Sequence, residues 1–269
     1  MALEQRLVDL FESPTYRPPL LPDVALELMS LSRRAGFTVR PFLRTLEKDP
    51  ILTATTMRIA GSAAYSRGQP PKNLREALVR LGEKTLGQIV LVAAMSQRVF
   101  RAPGYEAPMT LLRQHSVATA QAARVFADAA KKDGDTAFLA GLLHDAGIAA
   151  ALIALTDRVR HPPAFELVWP VVDGMHARLT ARVATLWNLP GDVRASVARP
   201  DQPPAGLEWL VASIAMGEHL AQEVSAPGIP STELIPSRDV LAARLGLDEG
   251  ALTLAWDRAR VAAVDALVN

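Results

Sequence analysis

The segment from Phe138 to Leu155 restricts the fold of this chain more than any other part of its sequence. Its residues are apolar except for His144 and Asp145, which lie near the middle. The length is at the lower limit for a membrane-spanning helix, and an Asp near the centre of such a helix costs about 2.5–3.5 kcal/mol. The segment therefore predicts a helix buried inside the protein, with two polar side chains at its centre.

A carboxylate in an apolar helix requires a partner. Burying an ionised side chain without compensation is prohibitively costly, so Asp145 needs a cation, a hydrogen-bond network or a proton. His144 adjoins it in the sequence, and His115 lies on the inward face of the preceding predicted helix. If the two helices form an antiparallel hairpin, the imidazoles can meet only through tilt or wrapping of the helices. These three residues are candidates for one polar site.

Helical periodicity runs through nearly the whole chain, and no window of more than a few residues alternates like a strand. The predicted fold class is therefore all-α. In the first half, helices are predicted after Val24, Thr38, Asp49-Pro50 and Asn73, and from about Lys84 to Phe100. In the second half they are predicted near 109–132, 136–155, 173–187, 190–198, 206–225, 238–245 and 248–267, with Asp135 as the cap of the second.

Stretches rich in proline mark the predicted boundaries between parts of the chain. The sequence Ala-Pro-Gly-Tyr-Glu-Ala-Pro at 102–108 is the best candidate for a boundary, and a Pro/Ser-rich loop covers 226–236. The predicted organisation is a lead segment at 1–22, an N-terminal helical part at 23–102, a second helical part at 109–225 and a C-terminal helical extension at 226–269.

Composition excludes several classes of protein. With 49% hydrophobic and 21% charged residues, the chain can bury a sizeable core and is not intrinsically disordered. It has no cysteine, which excludes disulfides, thiolate metal sites and a cysteine nucleophile. Glu4, Arg6 and Asp9 are unlike the residues of a signal peptide, so we expect a cytoplasmic location.

Charge is distributed unequally along the chain, although its net value is +1. Residues 1–132 contain 19 Lys+Arg and 11 Asp+Glu, a net +8, whereas 133–269 contain 10 and 17, a net −7. Two explanations stay open: the halves attract each other or solvate opposite ends, or the first half binds an acidic partner. Because the basic residues are scattered, support for nucleic-acid binding is weak.

The polar pair belongs to motifs that resemble a known superfamily. Phe-Leu-Ala-Gly-Leu-Leu-His-Asp-Ala-Gly at 138–147, preceded by Arg-Gln-His-Ser-Val-Ala-Thr-Ala at 113–120, resembles the HD superfamily of metal-dependent phosphohydrolases. Motifs at 21–25, 47–53, 58–65 and 74–82 are similar to those of the HDOD family, over about residues 20–225. The resemblance implies a bacterial signalling domain with an HD-like helical bundle preceded by an N-terminal helical subdomain. It also implies kinship with HD-GYP cyclic-dinucleotide phosphodiesterases, generally without demonstrated catalysis.

The resemblance assigns candidate metal ligands. His115 matches the first ligand histidine, His144 and Asp145 match the His-Asp doublet, and Glu218 falls where a distal Asp is expected. Together they would hold one divalent ion of Mn, Fe or Mg, but would not make a two-metal centre. His176 matches a further histidine of the pattern and is expected to contact the ligands rather than the ion.

Two positions depart from the family pattern. Ile148 stands where a lysine is frequent, which replaces a cation facing the phosphate by an alkyl group. A later pair of histidines before a proline is replaced by Arg199-Pro200-Asp201, which supplies no imidazole. No catalytic residue is therefore assigned, since a scissile phosphate and an attacking water have no obvious partners.

These departures favour a non-catalytic signalling or adaptor protein that binds a protein partner, with the site kept as structure or as a ligand sensor. The alternative is a metal-dependent phosphodiesterase acting on a nucleotide, such as a cyclic dinucleotide. The cluster itself is either a hydrogen-bonded packing element or a single-metal site. A third hypothesis is nucleotide binding without hydrolysis by the basic first half.

The terminal helices carry an apolar stripe that has two possible uses. It consists of Leu241, Leu245, Leu252, Trp256 and Val264. The stripe either contacts a partner or folds back on the core.

Overall fold

The computed structural model describes residues 3–19, 43, 46, 50–61, 69, 71–82, 99–157, 161–198, 204–224 and 235–268. All regular secondary structure in these ranges is helical, which confirms the predicted all-α fold class. The helix predicted after Val24, most of the helices predicted after Thr38 and at 84–100, and Arg199-Pro200-Asp201 lie outside the described residues.

The described helices are α1 (Leu3–Glu12), α2 (Pro50–Ala60), α3 (Glu106–Ala129), α4 (Gly134–Leu143), α5 (Ala146–Thr156), α6 (Phe165–Leu186), α7 (Gly191–Ala198), α8 (Glu208–Val224), α9 (Arg238–Leu245) and α10 (Glu249–Val268). Residues 74–82 form a further helical segment. The chain divides into two compact units, one of residues 1–19 and 99–267 and the other of 20–98 and 268–269. The four-part organisation stays a prediction.

The smaller unit contains two of the predicted helix starts. Helix α2 begins at Pro50, as the Asp49-Pro50 signal predicts. At the start of the helical segment 74–82, the Asn73 side chain accepts a hydrogen bond from the Glu76 N–H at 2.9 Å. The Glu76 carboxylate accepts one from the Lys72 N–H at 2.8 Å instead of from Asn73. The two hydrogen bonds form a capping box in which the Glu76 carboxylate binds the N–H of Lys72 and not that of Asn73.

Helices α3 and α4 of the larger unit pack as the predicted hairpin. The cap of α4 is Asp133 rather than the predicted Asp135, because the Asp133 carboxylate accepts hydrogen bonds from two backbone N–H groups of the first turn. The two helices approach closely at Gly141, where a Cβ would lie 3.0 Å from the Cα of Ala120. Glycine at this crossing brings the end of α4 against the middle of α3.

The apolar segment consists of two helices, so the single helix predicted at 136–155 is wrong at its centre. Helix α4 ends at Leu143, His144 and Asp145 form a turn, and α5 begins at Ala146. Asp145 has φ −108° and ψ 16°, outside the helical region. By length and composition, Gly134–Thr156 is the one described stretch that could cross a membrane, but 78% of its apolar window is buried inside the protein.

Two features near α6 were not predicted. The helix begins at Phe165 rather than near 173 and contains Pro170, whose missing N–H does not interrupt it here. The lead segment contains α1, with Leu7 and Phe11 buried. An Arg182 side-chain N–H donates to the Phe11 carbonyl at 2.9 Å, which holds the end of α1 against α6.

The C-terminal helices fold back on the larger unit. Leu241, Leu245 and Trp256 are buried in a core cluster with residues of α3 and α8, and Leu252 packs against its edge. Of the predicted apolar stripe, Val264 is exposed. The stripe is therefore mainly core, not a surface for a partner.

Candidate metal centre and adjoining cavity

His115, His144 and Asp145 meet at the point where α4 turns into α5. The Nε2 atoms of the two histidines are 3.3 Å apart. An Asp145 Oδ2 atom lies 3.2 Å from the His144 Nε2 and 3.9 Å from the His115 Nε2. Their side chains are 16%, 9% and 13% exposed, respectively. The structure therefore brings together the three residues that the sequence analysis placed in one polar site.

Backbone carbonyls orient the histidines. The Nδ1 of His144 lies 2.7 Å from the Gly141 carbonyl oxygen, and the Nδ1 of His176 lies 2.6 Å from that of Asp173. Because a carbonyl oxygen can only accept, each Nδ1 carries the proton and donates it. In His144 this leaves Nε2 directed into the cluster, which is the arrangement common among metal-binding histidines.

The three ligand atoms suit a single metal ion. All lie within 4.8 Å of one another. Bonds of about 2.0–2.2 Å to histidine nitrogen and carboxylate oxygen place neighbouring ligand atoms about 3–3.6 Å apart, close to the separations found here. When bound, a divalent ion would supply Lewis-acid chemistry at this turn. The cluster could hold such an ion, and its donor set does not select among Mn, Fe and Mg.

Glu218 lies beside this set on α8. Its Oε1 is 3.4 Å from the His144 Nε2, and its side chain is 16% exposed. It is not among the three residues whose ligand atoms are all mutually close. Its role as a fourth metal ligand therefore stays a prediction, as does the supporting role of His176.

Burial and charge act against each other within the cluster. Burial, with repulsion from His144, lowers the pKa of His115 to about 4. Burial also lowers the pKa of His144, but attraction to Asp145 and Glu218 outweighs it and raises this pKa to about 10. Burial raises the pKa of Asp145, but the neighbouring His144 outweighs it and holds this pKa well below its usual range. Without metal, the cluster at neutral pH therefore contains one charged imidazole beside a carboxylate.

This charge state predicts how metal affinity depends on pH. An ion that binds the Nε2 of His144 must displace its proton, so we expect the Mn²⁺ affinity to increase about tenfold per pH unit between about pH 6 and 8. Calorimetric titration of EDTA-treated protein, with Asp145→Ala as the reference, measures this slope. Specific binding whose affinity is the same at both pH values would contradict the expectation.

Three glycines allow the helices that carry the cluster to approach. Besides Gly141, a Cβ on Gly147 would lie 2.2 Å from the backbone nitrogen of Thr180, and one on Gly217 would lie 2.6 Å from the Thr119 carbonyl oxygen. The Gly147 N–H also donates to the Thr180 hydroxyl at 3.0 Å. Each glycine lies within three residues of His144, Asp145 or Glu218, so the close crossings fix the site.

A cavity of about 390 Å³ adjoins the cluster. His144, His176 and Glu218 contribute to its lining, together with apolar side chains of α7, α8 and the C-terminal extension. Ile148 does not line it and is 3% exposed within the core. The volume falls in the range of small-molecule sites.

One charged residue of this cavity was not predicted from the sequence. Arg244, at the end of α9, is exposed and contributes to the lining. Nothing in the sequence marks it, because it comes from a helix about 100 residues after His144. Only the folding of the C-terminal extension onto α8 places it there.

Comparison with known protein families identifies the family of the chain. The HDOD domain family model matches residues 19–203, the greater part of the chain. The chain belongs to the HDOD family. This confirms the predicted resemblance and places the His144-Asp145 turn of the HDOD protein inside the matched region. None of the curated proteins matches the chain.

Solved structures of similar fold come from several bacteria. An HDOD domain protein of unknown function from Geobacter sulfurreducens has a TM-score of 0.72 and 21% identity, covering 99% of this chain and 98% of its own. A protein from Shewanella amazonensis, provisionally described as a metal-dependent phosphohydrolase, has a TM-score of 0.67 and 20% identity. The match covers 97% of this chain and 98% of the Shewanella chain. A protein from Marinobacter aquaeolei, provisionally described as a signal transduction protein, has a TM-score of 0.68 and 20% identity. The match covers 100% of this chain and 60% of the Marinobacter chain. At these identities, the likeness shows the HD-like helical fold of this HDOD protein.

Proposed function

We propose that this HDOD protein is a non-catalytic adaptor that acts in bacterial signal transduction through contacts with a protein partner. The predicted cytoplasmic location is part of the same proposal. One of the similar structures supports a role in this class, since it is provisionally described as a signal transduction protein.

The observation that carries the proposal is that the described lining of the cavity beside the histidine–acid cluster contains no buried Lys or Arg. A phosphohydrolase needs cations close to the metal to hold the phosphate and stabilise charge in the transition state. Ile148, at the position where the family pattern often has lysine, is 3% exposed and lies in the apolar helix α5. In the described part of the cavity lining, the one Lys or Arg is Arg244, which is exposed to solvent.

The number of ligands supports the same proposal. Among the described residues, His115, His144 and Asp145 are the one group of histidine and acidic side chains suited to a metal ion. Three ligands, with Glu218 as a fourth, suffice for one ion. They do not suffice for a pair of ions that stabilise the attacking and the leaving oxygen when a phosphate ester is hydrolysed.

A metal-dependent phosphodiesterase is the second candidate function. The geometry of the three ligand atoms favours it, because a single ion with an open position can activate water. The Shewanella protein is provisionally described as an enzyme of this kind. A cyclic dinucleotide would be the first substrate to test.

Hydrolysis assays distinguish the two candidates. In the presence of Mn²⁺, Fe²⁺ or Mg²⁺, we expect the protein to hydrolyse bis(4-nitrophenyl) phosphate and a cyclic dinucleotide no faster than EDTA-treated protein does. Elemental analysis of the purified protein measures metal content in parallel. Metal-dependent turnover that Asp145→Ala abolishes would refute the adaptor proposal.

Affinity capture from the native cell tests the other part of the proposal. We expect a reproducible protein partner that is recovered with the wild-type chain and then binds the purified chain directly. Recovery of no specific partner would count against an adaptor role, whatever the outcome of the hydrolysis assays.

A further inference from the structure

The cavity beside the cluster has two different ends. At the inner end lie His144 and Glu218, whose side chains are 9% and 16% exposed. At the outer end lies the exposed Arg244. Between them, the lining includes apolar side chains such as Val211 and Ile214 of α8.

The outer wall of the cavity is held in place by several contacts. The segment before α9 contributes Pro236, whose carbonyl oxygen accepts a hydrogen bond from the His219 Nε2 at 2.8 Å. Arg238 pairs with Glu223 of α8, and its guanidinium carbon lies 3.9 Å from the centre of the Trp256 ring. These contacts hold α9 against α8 and so preorganise the wall of the cavity.

We propose that this cavity binds a small organic anion with an apolar body, and that Arg244 binds its acidic group. None of the ion pairs among the described residues involves Arg244. A guanidinium binds carboxylate, phosphate or sulfonate groups through paired hydrogen bonds. The apolar lining between the two ends removes the body of the ligand from water.

Charge at the inner end determines the orientation of the ligand. Asp145 and Glu218 place two carboxylates around His144, which disfavours a second acidic group there. The acidic group therefore lies at Arg244, and the apolar body points toward the cluster. This orientation keeps the acidic group away from the three candidate metal ligands. The inference rests on the proposed function in that the ligand is bound and not hydrolysed.

Two fluorescent probes of similar shape test the site. The anionic probe is 8-anilino-1-naphthalenesulfonate, and the neutral probe is N-phenyl-1-naphthylamine, which lacks the sulfonate. We expect Arg244→Gln to raise the Kd of the anionic probe about tenfold or more and to leave that of the neutral probe within about twofold. The matched control is Arg258→Gln, an exposed arginine of α10 that does not line the cavity.

A second variant tests whether the probes occupy this cavity. Ala177 is half-buried in the lining, so Ala177→Phe fills part of the space and should raise the Kd of both probes about tenfold. Thermal unfolding verifies that each variant is folded. The proposal is overturned if Arg244→Gln and Arg258→Gln have the same effect on the anionic probe, or if Ala177→Phe affects neither probe. Turnover in the hydrolysis assays would instead refute the adaptor role, so the two failures are distinguishable.

Discussion

Gly147→Ala is expected to lower the free energy of unfolding by about 3 kcal/mol, at the upper end of the usual cost of overpacking a core. The added Cβ would lie 2.2 Å from the backbone nitrogen of Thr180 and 2.6 Å from the carbonyl carbon of Leu179. Backbone atoms cannot rotate away as the end of a side chain can. Helix α5 must therefore move away from α6, which also weakens the hydrogen bond from the Gly147 N–H to the Thr180 hydroxyl.

Gly174 provides the matched control on α6. It is exposed, and a Cβ there would meet no heavy atom within 4 Å. Gly174→Ala should leave stability unchanged or raise it by up to about 1 kcal/mol, because alanine has the higher helix propensity. Urea denaturation followed by circular dichroism measures both variants. Equal stability of the two variants would show that α5 and α6 are not in the close contact described here.

The fold class was predictable because it depends on periodicity, which each helix carries in its own sequence. The His144-Asp145 pair was predictable as a site because a charge within an apolar segment needs compensation. The break between α4 and α5 was not predictable from periodicity. It follows from a turn at Asp145 and a hydrogen bond from His144 to the Gly141 carbonyl, and apolar residues continue on both sides.

Other features depend on contacts between distant parts of the chain. Helix α1 is short and packs against α6, and its Phe11 also contacts the Tyr16 ring, with the ring centres 4.4 Å apart. Arg244 lines the cavity only because α9 packs on α8. Contacts of this kind bring together residues that no local pattern connects, so sequence reasoning found the polar centre but not the outer end of its cavity.

Asp145→Asn is expected to destabilise the protein by about 3–5 kcal/mol at pH 6 in EDTA. The substitution removes the carboxylate that lies 3.2 Å from the His144 Nε2 and leaves a buried, charged imidazole with less compensation. Breaking a buried ion pair by removing one partner has a cost of about this size. The matched control is Asp257→Asn, an exposed carboxylate of α10, whose effect should stay within about 0.5 kcal/mol.

The dependence of this effect on pH follows from the two pKa shifts. The pKa of His144 is raised from 6.5 to about 10, so the stability it contributes is fully present below pH 6.5 and is lost as pH rises toward 10. The pKa of Asp145 is lowered from 3.8, so its contribution is present above pH 3.8 and is lost as pH falls below that value. The difference between wild type and Asp145→Asn should therefore be largest between about pH 4 and 6.5 and shrink toward pH 10.

Urea denaturation at pH 6 and pH 9.5, both in EDTA, measures this difference and separates the two explanations of the cluster. A packing element stabilises the fold without metal, because the imidazole and the carboxylate compensate each other. A set of ligands that separates when the ion is removed gains little from Asp145 in EDTA, because the carboxylate then no longer compensates the charge of His144. A neutral or stabilising Asp145→Asn in EDTA would therefore contradict the packing explanation and favour a cluster maintained for metal.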